Sequence, residues 1–144
     1  MIPRLASRLG VVVLGAGLAT AACGGGTASD SGGLAVRLAE FSIGLATSQV
    51  PAGEVHLAIT NEGAVVHEVE VFRVPDGVDP GALPVSGGVA DTASKGLTIV
   101  DEVEDIVPST GVRLTVDLQP GRYALICNLP AHYQAGMHAT LTVD

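Results

Sequence analysis

Val112-Arg113-Leu114-Thr115-Val116-Asp117-Leu118-Gln119-Pro120-Gly121-Arg122-Tyr123-Ala124-Leu125-Ile126-Cys127-Asn128 is the stretch that decides the fold. Val112, Leu114, Val116 and Leu118 fall on one side of Arg113, Thr115 and Asp117, the two-residue period of a half-buried β-strand. Pro120-Gly121 suits a type II turn, because proline presets the first central position and glycine accepts a positive φ at the second. Beyond it Tyr123, Leu125 and Cys127 share one face, so Tyr123 to Asn128 is expected as the hairpin partner.

The same pattern extends in both directions. Val66 to Phe72 reads as a strand with His67, Val69 and Val71 on an inward face and Glu68 and Glu70 pointing outward. Before it, Asn61-Glu62-Gly63 signals a turn, Glu54 to Thr60 alternates around Val55, Leu57 and Ile59, and Pro51-Ala52-Gly53 marks another turn. Leu34 to Leu38 and Phe41 to Ile43 form a first extended region, Leu97 to Glu104 another strand, and Ala139 to Val143 the last. Arg73 to Gly96, rich in Pro, Gly, Asp and Ser, is a long excursion with room for a short helix. The chain of 144 residues suits one domain, and the expected fold is all-β: a Greek-key antiparallel β-sandwich of seven to eight strands spanning residues 34–144.

The N-terminal part reads differently. Arg4 and Arg8 precede an apolar or small run from Val11 to Ala22 that as a helix would rise about 18 Å, short of a hydrocarbon layer of about 30 Å. Residues 1–22 therefore read as a signal peptide rather than a span. Ala19-Thr20-Ala21-Ala22-Cys23 resembles a bacterial lipoprotein cleavage box, which makes Cys23 the expected lipidation site, although Thr20 stands where leucine is usual and plain secretory cleavage is the alternative. Residues 23–33 are a Gly/Ser-rich tether by composition. The expected location is the cell envelope, with the protein anchored to the outer face of a membrane only through lipid, or else secreted or periplasmic.

All fifteen acidic residues follow Cys23, against five of the seven basic ones, so the segment after the signal carries a net charge of −10. Such a surface repels phosphate backbones and argues against nucleic-acid partners.

Cys127-Asn128-Leu129-Pro130-Ala131-His132-Tyr133-Gln134-Ala135-Gly136-Met137 concentrates the chemistry. After Cys23 the chain has one cysteine and one methionine, and both lie in this stretch with His132 between them. A thiolate, a thioether and an imidazole, joined by His67 from an inward strand face, are donors that suit copper better than zinc, calcium or magnesium. Pro130 and Gly136 supply the restricted and permissive positions that let the loop curl onto one point. His56 falls on a polar strand face, and His138 reads as an outward strand residue. Tyr133 and Leu129 are candidates for an apolar rim around His132, and Asp101, Glu102, Glu104 and Asp105 for a solvated acidic strand end.

With these residues in place, the chain from about Leu34 to Asp144 resembles the type 1 (blue) copper proteins of the cupredoxin family, with the Cys-x4-His-x4-Met spacing of its rusticyanin-like and sulfocyanin-like members. The resemblance implies one type 1 copper ion held equatorially by His67, Cys127 and His132 and axially by Met137. It implies a one-electron carrier, not an enzyme, that meets a redox partner protein such as a cytochrome or oxidase near His132, as a monomer. Two departures stand out: Glu68 follows the first histidine where Asn or Ser is common, and Ala131 precedes His132 where Gly is common. The alternative function is copper binding or homeostasis outside the cytoplasm without dedicated electron transfer. Cysteine hydrolase chemistry lacks an orienting group and an oxyanion site in the sequence.

Overall fold

The computed structural model describes residues 33–144. The expected signal peptide, the tether up to residue 32 and the Cys23 lipidation site lie outside the described residues.

Among the described residues eleven strands follow one another: β1 (Leu34–Ala39), β2 (Ser42–Leu45), β3 (Gln49–Val50), β4 (Gly53–Asn61), β5 (His67–Val74), β6 (Val85–Ser86), β7 (Val89–Ala90), β8 (Thr98–Ile106), β9 (Gly111–Leu118), β10 (Gly121–Ile126) and β11 (His138–Val143). Three of them, β3, β6 and β7, are only two residues long, which leaves eight strands of substance, as the turn spacing predicts. They form a sandwich of two sheets, one in the order β2-β1-β4-β9 and the other β3-β11-β10-β5-β8, with β6-β7 a separate small hairpin. The sandwich is mixed rather than purely antiparallel: β1 runs parallel to β4, and β3 parallel to β11. β1 and β2 pair as an antiparallel hairpin, and the chain between β2 and β3 then changes sheets.

The hairpin expected across Pro120-Gly121 does not exist. Strand β9 pairs with β4, whereas β10 pairs with β5 and β11, so this turn carries the chain from one sheet to the other. The alternation reads the same in both cases, because both strands turn an apolar side to the shared interior. Gly121 takes φ of 152°, a backbone conformation open to glycine, and its bare Cα leaves room for the Arg73 guanidinium, which donates to Pro120 O at 3.1 Å.

Between the sheets lies the main core, built on Val36, Leu38, Leu57, Ile59, Val69, Val71, Leu118, Leu125 and Leu141, with Cys127 and Met137 at one end. Burying each of the larger aliphatic side chains contributes about 2 kcal/mol. A second cluster covers the opposite face of the five-stranded sheet: Phe72, Val74, Ala124 and Ile126 from β5 and β10, with Leu83, Ala90, Leu97 and Tyr133 laid over them. The excursion after β5 thus acts as a cover. It holds the β6-β7 hairpin and a single 3-10 turn at Ala93–Lys95.

Candidate metal centre

His67 opens β5, and Cys127 follows the last residue of β10, the strand beside β5. A register shift between His67 and Val69 comes from one extra residue on β8 and leaves the alternation of β5 intact, and His67 and Cys127 are both wholly buried. From Cys127 the chain folds back through tight turns: His132 N donates to Leu129 O at 3.0 Å, Gly136 N to Tyr133 O at 2.9 Å and Met137 N to His132 O at 3.1 Å. Gly136 has φ of 115°, which supplies the permissive position the sequence suggests. Cys127 N donates to Met137 O at 3.1 Å and closes the loop at its base.

These turns bring three donor atoms together. His67 Nδ1 and His132 Nδ1 are 3.3 Å apart, Cys127 Sγ is 3.3 Å from His132 Nδ1 and 3.9 Å from His67 Nδ1, and no disulfide involves Cys127. An ion at roughly 2.0 Å from nitrogen and 2.3 Å from sulfur, in a trigonal plane, asks for separations of about 3.5 and 3.7 Å. The three residues form a group able to hold a metal ion. Met137 is wholly buried in the same core cluster as Cys127. The donor chemistry, two imidazoles with a soft thiolate and a thioether to hand, fits copper.

Burial pushes the Cys127 thiol up, so a thiolate there needs a cation beside it. Burial, and then the neighbouring His67, lower the pKa of His132, which favours the neutral imidazole a metal requires. The backbone N–H groups of Val65 and Ala64 hold the Glu40 carboxyl below the ordinary carboxylate range.

The surroundings differ from the sequence expectation in three respects. Glu68 does not point out to water: it is 9% exposed, and its Oε1 accepts a hydrogen bond from Asn128 N at 2.8 Å, tying the strand of one donor to the residue after another. It keeps to the side of β5 opposite His67, as alternation predicts, but that side, with Phe72 and Val74, lies under a cover rather than in water. Tyr133 is no surface rim either, since it is buried and its hydroxyl donates to Pro80 O at 2.8 Å and accepts from Leu83 N at 2.8 Å. The side chain that does flank His132 is Phe41, 43% exposed, with ring centroids 5.1 Å apart in an edge-to-face arrangement. Nothing in the local pattern around Phe41 signals this, because it arrives from the other sheet. Leu129 packs against the main core, half-buried. His138 lies against the Tyr133 ring, and His56 is exposed beside Glu54 and Thr115, so neither joins the donors.

No protein-family model matches the chain, and no curated protein does. Solved structures do. An auracyanin from Roseiflexus castenholzii is 19% identical, with 76% of this chain and 94% of that one covered at a TM-score of 0.54. Auracyanin A from Chloroflexus aurantiacus, described as a "blue" copper protein, is 21% identical, covering 77% and 97% at 0.50. Rusticyanin from Thiobacillus ferrooxidans is 21% identical, covering 76% of each chain at 0.53. Likeness at this identity is likeness of fold.

Proposed function

The chain has the cupredoxin fold, and on that premise we propose that it is an exported type 1 copper protein acting as a one-electron carrier, its copper held by His67, Cys127, His132 and an axial Met137. The observation that carries this reading is the convergence of two imidazole nitrogens and one thiol sulfur, all within 4.8 Å of one another, at the buried end of a rigid sandwich. Copper bound there supplies one-electron chemistry between Cu(II) and Cu(I). The protein's part is to bind and to restrain. His67, Cys127 and Met137 are wholly buried, so water is kept from three of the four ligands, and only His132 is partly open to the surface. Both flanks of the ligand loop are fixed, by Glu68 on one side and by the cover on the other, where Asn128 Oδ1 accepts from Ala90 N at 2.7 Å and Ala131 N donates to Gly88 O at 2.8 Å. Such restraint keeps the donor geometry similar in both oxidation states.

Phe41 is exposed with its ring against His132, and Val65 and Val66, exposed just before His67, add apolar surface; on this face a redox partner, such as a cytochrome or oxidase, would dock. The net charge favours a basic partner. The molecule acts as a monomer outside the cytoplasm, at the cell envelope, with the domain from residue 34 to 144 carried on a tether from a lipidated Cys23 or released as a secreted or periplasmic protein.

Electron self-exchange of the copper-loaded protein separates transfer from copper handling. A carrier exchanges electrons rapidly, keeps its copper against a chelator, and slows when Phe41→Glu places a charge on the docking face. Slow exchange with ready loss of copper would assign the protein to copper binding and homeostasis instead.

A further inference from the structure

We propose that Glu40 is a positioning residue of the metal centre, a carboxylate that holds the far nitrogen of His67 and places a negative charge behind that ligand. This rests on the copper reading given above. His67 turns Nδ1 toward Cys127 and His132; its other nitrogen, Nε2, is buried without a hydrogen-bond partner and lies 3.4 Å from Glu40 Oε1. A buried imidazole N–H with no acceptor is destabilising, and a metal on Nδ1 obliges Nε2 to carry the proton. The carboxylate within reach is the group that can take it up.

Its position is built rather than incidental. Glu40 follows β1 in the four-stranded sheet, whereas His67 opens β5 in the other, so the contact bridges the sandwich at its metal end. Glu40 Oε1 accepts from Ala64 N at 2.7 Å and from Val65 N at 3.0 Å, the backbone that leads directly into His67. That backbone is shaped in turn by Asn61, wholly buried, whose Nδ2 donates to Val65 O at 2.8 Å and Ile106 O at 2.7 Å while its Oδ1 accepts from Gly63 N at 2.9 Å. Gly63 is bare where it faces the carboxylate: a Cβ there would stand 2.8 Å from Glu40 Cδ. The neighbouring Phe41 reaches the second imidazole, so one turn touches both histidines.

A ligand imidazole that donates its free N–H to a carboxylate is fixed in orientation and made more basic, and losing such a partner commonly costs 10- to 100-fold in metal affinity. The added negative charge favours Cu(II) over Cu(I). The test uses the copper-loaded protein and Glu40→Gln, which keeps an oxygen for Ala64 and Val65 but removes the charge, together with Gly63→Ala, which displaces the carboxylate without altering it. Both variants are expected to raise the reduction potential, with Cu(II) affinity by chelator competition falling about tenfold and Cu(I) affinity changing less. In the diamagnetic Cu(I) form, the His67 Nε2 proton, slowly exchanging and shifted downfield in the parent protein, should exchange faster in both. Variants whose potential, affinities and Nε2 proton match the parent would overturn the role of Glu40 while leaving the copper site intact. A parent protein that binds no copper would overturn the reading beneath it.

Discussion

Ala131 holds φ at 71°, the left-handed region, one residue before His132. A side chain there crowds the backbone, which explains in steric terms why glycine is the common residue at this place. Ala131→Gly should therefore stabilise the protein by about 0.5–1 kcal/mol, read as a higher melting temperature of the metal-free form. Unchanged or lower stability would show that the loop does not store this strain. Glu68 makes the complementary case. Its carboxylate satisfies Asn128 N, so Glu68→Ala leaves a half-buried N–H without an acceptor and should cost about 1–3 kcal/mol. Faster copper loss should accompany it, because the residue anchors the Cys127 strand end to the His67 strand. Glu68→Gln, which retains an acceptor, should lose less on both counts. At this scale the sequence was informative about the donors, since cysteine, histidine and methionine in one loop are legible by residue type alone. It was misleading about Glu68, because alternation from His67 tells which side of the strand a residue takes and not whether that side is covered. It was silent on Glu40 and Phe41, which reach the histidines from a different sheet and share no local pattern with them.

Strands β5 and β8 carry a second electrostatic feature. Glu70 stands opposite Glu102 in their register, and burial, followed by the Glu68 and Glu102 charges, pushes its carboxyl up to about 7. In the unfolded chain the same group loses its proton near its ordinary value of 4.5. Between those values the folded protein binds more protons than the unfolded one, so stability falls as pH rises through the window. Glu68, also raised by burial, acts in the same direction. Denaturant unfolding of the metal-free protein should show lower stability at pH 8 than at pH 5, with Glu70→Gln flattening the difference. Equal slopes in parent and variant would contradict the assignment. The alternating strands were readable element by element, and the eight longer ones appear close to the positions the turns predict. Which strands pair was not readable: Pro120-Gly121 has the chemistry of a hairpin turn, yet β9 and β10 lie in different sheets. Alternation reports that one face is buried, not which neighbour lies alongside.

For the molecule as a whole, the two apolar layers explain how so small a loop is held. The main core supplies a floor, with Cys127 and Met137 packed into its end, and the cover over the outer face pins the loop from above through Asn128, Ala131 and Tyr133. The excursion from Arg73 to Gly96, unpatterned as sequence, gains its purpose only in three dimensions. Its apolar residues are scattered, and they become a layer once folded against Phe72 and Ile126. Whether Cys127 and the two histidines hold one copper ion as a type 1 site is read from the absorption and electron paramagnetic resonance spectrum of the Cu(II)-loaded protein, taken beside Cys127→Ser. The parent should show an intense visible thiolate-to-copper band, and the variant should lose it. A colourless parent, or a band that survives the substitution, would rule out a type 1 copper site at Cys127.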